Sequence, residues 1–261
     1  MEKLSNLQSN LKQLERVVVA FSGGVDSALL AWVANDSLGH AAHAVTAVSA
    51  SLPAEERELC KKLASDWDLR WSEVFTAEQQ NEHYRRNDTQ RCAYCREALM
   101  DALEPLARND HAAVVLGITL DDLGDHRPGI EASRKRGARF PLLDAGFTKA
   151  DVRSLSRSLD LATWNKPAAP CLASRIPYDT PVSVEVLSRV ERAEMALGML
   201  GFEDRRVRHY GEIARVEVPQ DRLDDLLAHK DKVITAVKAA GYRYVTVDLE
   251  GLRSGNLNSD R

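Results

Sequence analysis

Two cysteines three positions apart, Cys92 and Cys95 in the segment RCAYC, have a type and a spacing that suggest chemistry. The chain has four cysteines, and a third, Cys171, lies in the later segment PCLASR. In a reducing compartment such a pair is more typical of metal binding or redox activity than of a structural disulfide. The fourth, Cys60, lies in an amphipathic segment, and we interpret it as a small core residue.

A second chemical feature is the glycine loop SGGVDS at residues 22–27, which follows an apolar strand and precedes an apolar helix. Gly23 and Gly24 allow a tight turn and a close approach of the backbone to a ligand. Successive amides at the start of a helix form a concave anion site. The loop is neither GxGxxG nor GxxxxGK[ST], and it contains no lysine that could reach a terminal phosphate. For SGG alone an ordinary strand–helix turn is the alternative, but the whole arrangement favours phosphate binding.

Alternating strands and helices position these residues in the first part of the chain. Near-continuous apolar runs such as RVVVAF predict buried strands, and amphipathic segments such as AEERELCKKLASDW predict helices between them. This alternation is typical of an α/β fold with a parallel sheet covered on both faces. The last of these helices is expected to have Thr148 as N-cap, with Asp151 three residues later. The predicted elements are helices at 2–14, 26–38, 54–67, 95–108 and 148–160, and strands at 16–21, 42–50, 69–75 and 112–117.

The pattern changes at WNKPAAPCLASRIPYDTP, residues 164–181, which has several prolines and no clear period. We interpret this segment as an ordered loop at the junction of two regions. A smaller α+β region is predicted beyond it, with a helix at 183–200, strands at 205–209, 213–218 and 243–249, and helical segments between 220 and 240. The predicted domains are therefore an α/β nucleotide-binding domain at 1–165 and an α+β domain for substrate binding and oligomerisation at 166–261.

The composition is that of a soluble globular protein. The net charge is −4 with both signs interspersed, which does not favour a broad nucleic-acid surface. Apolar runs such as VVVAF are far shorter than the roughly 20 residues of a membrane span. The N-terminal segment is charged and amphipathic and lacks the apolar core of a secretion signal. We therefore expect a cytoplasmic protein that does not bind membranes.

The loop SGGVDS resembles the pyrophosphate loop (PP-loop) of the N-type ATP pyrophosphatases, and Ser22, Gly23, Gly24, Asp26 and Ser27 match that motif. Those enzymes split ATP between the α- and β-phosphates and transfer AMP to an acceptor oxygen. The resemblance implies an adenine-nucleotide α-hydrolase-like sheet. It also implies that the loop holds the departing pyrophosphate and that cleavage requires Mg²⁺.

Four further segments are similar to the LarE family, and the likeness covers nearly the whole chain: DHRPG at 125–129, PCLASRIPYDTPVS at 170–183, RVRHYGEIARVEVP at 206–219 and GYRYVTVDLEGLRSG at 241–255. LarE enzymes are ATP-dependent sulfur transferases. They convert pyridinium-3,5-biscarboxylic acid mononucleotide into its bis-thiocarboxylic form, the organic part of the nickel-pincer nucleotide cofactor. The resemblance implies a small mononucleotide substrate, sulfide or another sulfur donor, and a homo-oligomer, in that family a hexamer.

The resemblance places the reactive sulfur at Cys171. In one version of the family this cysteine gives up its own sulfur and becomes dehydroalanine. In the other, three cysteines hold a [4Fe-4S] cluster whose fourth iron carries an exchangeable sulfide. The single-use version lacks the CxxC pair, so Cys92 and Cys95 favour the cluster. The alternatives are sulfur donation by Cys171 without a cluster, beside a redox pair, and a structural zinc with a fourth ligand such as His83 or His126.

The same resemblance suggests roles for other residues. Arg206 and Arg208 alternate on a predicted strand, so both can face the phosphate or carboxylate groups of one ligand, with a solvated charged face as the alternative. The remaining candidates are Ser174 and Arg175 beside the cysteine, Asp125, Arg127 and Arg253 near the nucleotide, and Glu194 and Asp225 as ligands of a divalent metal.

Two other functions would use the same residues. A tRNA thiolase also combines the loop with three cysteines, but the net charge of −4 and the lack of an appended basic module count against it. A non-catalytic sensor that binds AMP and a metal would need no turnover at all. The sequence favours the enzyme and predicts no stable nucleic-acid partner.

Overall fold

The computed structural model describes residues 2–123 and 128–253. None of the helices in these two ranges has the length and apolar character needed to cross a membrane. The helices are, in chain order, α1 (Glu2–Leu14), α2 (Val25–Leu38), α3 (Ala54–Asp66), α4 (Glu82–Arg86), α5 (Arg91–Asn109), α6 (Pro128–Lys135), α7 (Pro141–Asp144), α8 (Lys149–Ser158), α9 (Val184–Met199), α10 (Leu223–Ala228) and α11 (Lys230–Ala239). The strands are β1 (Val17–Ala20), β2 (Ala42–Val48), β3 (Trp71–Phe75), β4 (Ala113–Val115), β5 (Arg206–Tyr210), β6 (Ile213–Glu217) and β7 (Tyr244–Val247).

The chain divides into two units, which are not contiguous in sequence. The first contains the residues up to Glu78 and the segment Gln90–Ala169. The second contains Gln79–Thr89 and residues 170–253. No sequence signal indicated that the segment before α5 groups with the later residues, and the domain boundary near residue 165 stays a prediction.

The first unit is built on a parallel sheet with the strand order β3-β2-β1-β4. Val17 and Val19 of β1 pack into one buried cluster with Leu29 of α2, whereas Val18 packs into another with Met100 of α5. Both faces of the sheet are therefore covered by helices, which explains why its central strand is apolar at successive positions. The predicted α/β class is confirmed.

Most predicted elements are present, and the differences involve helix starts and short helices. Helix α5 begins at Arg91, four positions before the predicted start. The prediction missed this start because Gln90, the N-cap residue, makes no side-chain capping bond and so leaves no capping pattern in the sequence. Helices α4, α6 and α7 were not predicted, since 4–8 residues provide too little periodicity.

The predicted capping box of α8 is confirmed. The Asp151 amide donates to Thr148 Oγ1 (3.2 Å), and the Thr148 amide donates to Asp151 Oδ2 (2.8 Å). Two amides at the start of the helix are thereby satisfied. The box fixes the residue that follows Thr148, which is Lys149.

The second unit contains a three-stranded sheet, β5-β6-β7, in which β5 and β6 are antiparallel and β6 and β7 are parallel. Val207 and Val216 face α9 and α11, where they pack with Leu197 and Val237. Side chains alternate across a strand, so Arg206, Arg208 and Glu217 lie on the opposite face. This is the smaller α+β region expected from the sequence.

Candidate functional site

The loop between β1 and α2 is held by its two serines. The Ser22 amide donates to Ser27 Oγ (3.2 Å), the two hydroxyl oxygens lie 3.1 Å apart, and Ser27 Oγ donates to the Gly24 carbonyl (3.1 Å). Because the first amides of α2 have no acceptor within the helix, the turn presents N–H donors at the positive end of the helix dipole. This local geometry suits a phosphate group.

Both the backbone conformation at position 23 and the side chain packed against it require a glycine there. Its φ is +68°, and a Cβ there would lie 3.0 Å from Cys60 Sγ. Cys60 is fully buried, and burial raises the pKa of its thiol to about 11. A thiol that stays protonated at neutral pH supports the interpretation of Cys60 as a core residue.

Gly117, beyond the end of β4, is a residue whose importance the sequence did not reveal. A Cβ at this position would lie 2.9 Å from the Ser27 amide nitrogen and 3.0 Å from the Asp26 carbonyl carbon. The backbone after β4 therefore packs directly on the start of α2. Only glycine permits that approach without displacing the loop.

Asp26 points into a small group of charged residues. Lys149 Nζ lies 2.6 Å from Asp26 Oδ2 and 3.7 Å from Oδ1 of the buried Asp122. Asp26 Oδ1 is buried and has no hydrogen-bond partner among the described residues. Burial raises the pKa of the Asp26 carboxyl, and the hydrogen bond from Lys149 opposes that rise. A buried carboxylate oxygen without a partner fits a hard cation such as Mg²⁺.

Lys166, in the segment that follows α8, reaches the same loop. Its Nζ donates to the Gly23 carbonyl (3.0 Å) and to Glu56 Oε2 (2.5 Å). The segment SGGVDS contains no lysine, but the fold brings Lys149 and Lys166 to it. No motif spacing connects residues so far apart in the chain, so only the structure could identify them.

The CxxC cysteines lie at the start of α5 in the first unit. Cys92 is exposed and Cys95 is half-buried, and at three positions apart they share one face of the helix. Gly129, the glycine of the DHRPG segment, packs against this turn, since a Cβ there would lie 3.0 Å from the Cys92 carbonyl oxygen.

Cys171 lies in the second unit, where it precedes a short 3₁₀ helix, Leu172–Arg175, and it is half-buried. None of the four cysteines, all of which the structure describes, forms a disulfide. Within residues 2–123 and 128–253 no group of three or more His, Cys, Asp or Glu side chains is arranged to hold a metal ion. The assignments of metal ligands therefore stay predictions.

Arg175 connects the cysteine loop to the core of the second unit. Its Nε and Nη2 donate to the two carboxylate oxygens of Glu194 (2.9 and 3.1 Å). Its Nη1 donates to the Pro170 carbonyl (2.5 Å) and lies 3.3 Å from the Cys171 carbonyl oxygen. Glu194 Oε1 also accepts the Val207 amide (2.9 Å), so this buried carboxylate ties α9 and β5 to the loop.

Arg208 makes a second such connection. Its Nε donates to Oε1 of the fully buried Glu217 (3.0 Å), and its Nη1 donates to the Ser174 carbonyl (2.8 Å). Arg215 also pairs with Glu217 (3.1 Å). The predicted alternation of Arg206 and Arg208 on one strand is present, but the solvated-face alternative is wrong, because both side chains are buried.

Arg206 differs from its neighbours because no ion pair to a carboxylate neutralises it within the described part of the chain. Its Nη1 donates to the Arg253 carbonyl (3.1 Å). Burial lowers the pKa of Arg206, and the charges of Arg175 and Arg208 lower it further. Glu217 and Glu194 act in the opposite direction without forming an ion pair with Arg206 among the described residues. Buried charges are normally paired, so Arg206 is a candidate to bind an anion.

The other predicted residues lie elsewhere or outside the described residues. Asp225 is partly exposed and pairs with Arg222 (2.7 Å) and His229 (3.1 Å), and the hydrogen bond from Arg222 lowers its pKa. The Arg253 side chain is exposed and pairs with Glu250 (2.5 Å). The predicted site residues Asp125 and Arg127, and the possible zinc ligand His126, lie outside the residues that the structure describes.

Comparison with known proteins identifies relatives along almost the full chain, although no family model matches. An uncharacterized protein of Synechocystis sp. is 42% identical over 259 residues, which cover 98% of this chain and 97% of that protein. An uncharacterized protein of Methanocaldococcus jannaschii is 26% identical, with coverage of 97% and 98%. The pyridinium-3,5-bisthiocarboxylic acid mononucleotide synthase of Lactiplantibacillus plantarum is 38% identical over 258 residues, which cover 98% of this chain and 94% of the synthase. The chain therefore belongs to the LarE family, the family of that synthase, and is an enzyme.

Proposed function

We propose that this enzyme uses ATP to activate a carboxylate of pyridinium-3,5-biscarboxylic acid mononucleotide and replaces an oxygen of that carboxylate with sulfur. The observation that carries the proposal is one buried network in the second unit. Arg175 and Arg208 hold the carbonyls of the Cys171 loop, and Arg206 adds a buried positive charge that no carboxylate of the described residues pairs with. This network supports the proposal because it connects Cys171, the proposed sulfur residue, with arginines that suit an anionic substrate. The name of the Lactiplantibacillus relative supports this substrate.

The chemistry requires two steps, because a carboxylate is a poor electrophile. In the first, a carboxylate oxygen attacks the α-phosphorus of ATP, the α–β bond breaks, and an acyl-adenylate and pyrophosphate form. The loop formed by Ser22, Gly23, Gly24, Asp26 and Ser27 would hold the departing pyrophosphate through its amides and hydroxyls. In the second, a sulfur nucleophile attacks the acyl carbon, the C–S bond forms, and AMP leaves with the electron pair of the broken C–O bond.

Magnesium fits the phosphate site on the chemistry of its donors. Within the described part of the chain Asp26 Oδ1 has no hydrogen-bond partner, and Asp122 is a second buried carboxylate near the same lysine. These two residues would hold Mg²⁺, which supplies charge neutralisation to the phosphates when bound.

The three cysteines outside the core form the proposed sulfur centre. Cys92, Cys95 and Cys171 would hold a [4Fe-4S] cluster, which supplies an iron with an open position for sulfide. The donor set fits, because three thiolates leave one iron without a protein ligand. None of the three is deeply buried or oxidised to a disulfide. Glu194 and Asp225 remain proposed ligands of a divalent metal, although in the structure Glu194 pairs with Arg175 and Asp225 pairs with Arg222.

Alanine variants of Arg206 and Arg208 should separate an effect on substrate binding from an effect on stability. We expect Arg206→Ala to weaken binding of the mononucleotide about 10- to 100-fold, with little change for ATP, because it removes charge-assisted hydrogen bonds to a desolvated anion. The free energy of unfolding should change little, since no carboxylate loses its partner. Titration calorimetry with each ligand measures the first effect and thermal unfolding the second. Arg243→Ala, which removes an exposed pair with Glu212, is the control.

Arg208→Ala should behave differently. It removes one of the two arginines that neutralise the fully buried Glu217 while Arg215 remains, so we expect a loss of about 1–3 kcal/mol in the free energy of unfolding.

Two results would contradict these expectations. Arg206→Ala with unchanged affinity for the mononucleotide would contradict the anion site. Equal destabilisation by both variants would contradict the distinction between their environments.

Product analysis tests the proposed function. Full-length protein, reconstituted without oxygen and supplied with ATP, Mg²⁺, sulfide and the mononucleotide, should release AMP and pyrophosphate and form a thiocarboxylate. ATP turnover without a thiocarboxylate would contradict sulfur transfer. Co-purified RNA that becomes thiolated would indicate the tRNA thiolase, and AMP binding without pyrophosphate release would indicate the sensor. The expected hexamer is tested by light scattering, and the cytoplasmic location stays a prediction.

A further inference from the structure

We propose that Lys149 and Lys166 bind the β- and γ-phosphates of ATP and supply the positive charge that the loop sequence itself lacks. This inference rests on the proposed function, since it assumes that ATP binds at residues 22–27. It extends that function by naming the cations of the site, which lie outside the loop motif.

Lys166 is placed on the loop backbone itself. Its ammonium donates to the Gly23 carbonyl at 3.0 Å and to Glu56 at 2.5 Å, and 15% of the side chain is exposed. An ammonium has three N–H donors. Two of them are used by these bonds, so one remains for an oxygen of a ligand in the concave turn.

Lys149 contacts a different part of the loop, the carboxylate of Asp26. Its side chain is 39% exposed, so the ammonium is open to a ligand while it contacts Asp26 at 2.6 Å. Its backbone position is fixed, because the Lys149 amide donates to Asp121 Oδ2 (2.7 Å) and the preceding residue belongs to the capping box.

Helix α8 positions both lysines. Lys149 is its first residue, and Arg153, one turn later, donates to the carbonyls of Trp164 (3.0 Å) and Lys166 (2.8 Å). Arg153 thereby holds the turn that directs Lys166 back to the loop. One helix thus brings two cations to one anion site, which is difficult to explain if each lysine only balances a nearby carboxylate.

The carboxylate partners have a defined role in this arrangement. Glu56 and Asp26 hold the two ammonium groups at the loop before nucleotide binds, which reduces the side-chain entropy lost on binding. Each lysine can then donate to a phosphate oxygen without leaving its carboxylate, because the ammonium has more than one donor.

The competing interpretation is that the lysines only hold the loop in shape. The two interpretations differ in which ligands are affected. Cations that bind the β- and γ-phosphates contribute to the affinity for ATP and for pyrophosphate, but not to the affinity for AMP, which lacks those phosphates. A lysine that only shapes the loop would change the affinity for all ligands that bind there.

The experiment measures the dissociation constants of ATP, pyrophosphate and AMP, each with Mg²⁺, by calorimetry on the full-length protein. For Lys149→Met and for Lys166→Met we expect about 10- to 100-fold weaker binding of ATP and pyrophosphate, as for the loss of a charge-assisted hydrogen bond, with AMP unchanged. Lys166→Arg and Lys149→Arg should recover part of the affinity, since they keep the charge. Lys62→Met, which removes an exposed pair with Asp66 on α3, is the matched control.

The remaining outcomes are distinguishable. The double variant Lys166→Met with Glu56→Gln removes the unpaired carboxylate and keeps the test valid if Lys166→Met alone fails to fold. Unchanged affinity for ATP and pyrophosphate, or an equal loss for ATP, pyrophosphate and AMP, would overturn the inference. If the unsubstituted protein binds neither ATP nor pyrophosphate, the proposed function fails instead, because the loop is then not a nucleotide site.

Discussion

Replacement of Asp26 by asparagine is expected to abolish formation of AMP and pyrophosphate while the protein stays folded. The change removes the negative charge that contacts Lys149 and the buried oxygen available to Mg²⁺. Loss of one such electrostatic contact at a reacting phosphate typically lowers kcat by about 10²–10³-fold, and Asp26 provides two. The measurement is pyrophosphate release with saturating ATP, Mg²⁺ and mononucleotide.

The fold should tolerate this change for an electrostatic reason. Burial raises the pKa of Asp26, so its ionised form is less favourable in the folded protein than in the unfolded chain. For a carboxyl whose pKa is raised by folding, stability is lost as the pH rises from the ordinary value of 3.8 through the folded pKa. Asparagine removes this unfavourable charge, and Lys149 is exposed enough to remain solvated.

Asp36→Asn provides the matched control on the same helix, because Asp36 is exposed and far along α2 from the loop. It should leave the rate of pyrophosphate release unchanged.

Ser27→Ala, like Asp26→Asn, should lower the rate of pyrophosphate release, since Ser27 Oγ connects the Ser22 amide and the Gly24 carbonyl. Normal pyrophosphate release by Asp26→Asn would show that the loop is not the phosphate site.

The sequence was most informative where a feature is local. The strand, glycine turn and helix of residues 17–34 are adjacent in the chain, so their pattern predicted both the parallel sheet and the position of the loop. The capping box of Thr148 and Asp151 is equally local and was predicted from its two residues. Helix α5 begins without such a signal, and its start was placed too late.

The rest of the site depends on contacts between distant residues. Lys149 and Lys166 reach the loop across 123 and 143 positions, and no spacing rule connects them to it. The alternation of Arg206 and Arg208 predicted that they share a face of β5. It could not distinguish a buried face from a solvated one, because that depends on Glu217 of β6 and on the loop that contains Ser174.

The second large effect concerns the cysteines, and it separates two sources of the transferred sulfur. If Cys92, Cys95 and Cys171 jointly hold a cluster, replacement of any one by alanine should remove most of the bound iron, since two thiolates hold it poorly. The metal content of protein purified without oxygen measures this effect. Cys60→Ala should keep its iron, because Cys60 is buried against Gly23 and is not a proposed ligand.

The alternative source is the sulfur of Cys171 itself. In that case the Cβ–S bond of Cys171 breaks after its sulfur has attacked the activated carbonyl, the Cα proton is lost to a base, and the residue becomes dehydroalanine. Each protein molecule then acts once. Cys92→Ala and Cys95→Ala should keep this single turnover, whereas Cys171→Ala should not.

Intact-protein mass spectrometry before and after turnover distinguishes the two sources. With a cluster, added sulfide should support many turnovers, and the mass of the polypeptide should not change. With a sacrificed cysteine, the polypeptide should lose the mass of H₂S, and peptide mapping should place that loss at residue 171. The CxxC pair on α5, in a chain that also contains the cysteine loop of the LarE family, leads us to expect the first result. Dehydroalanine at position 171 in iron-loaded protein supplied with sulfide would overturn that expectation, because a cluster that delivers sulfide leaves the Cys171 side chain intact.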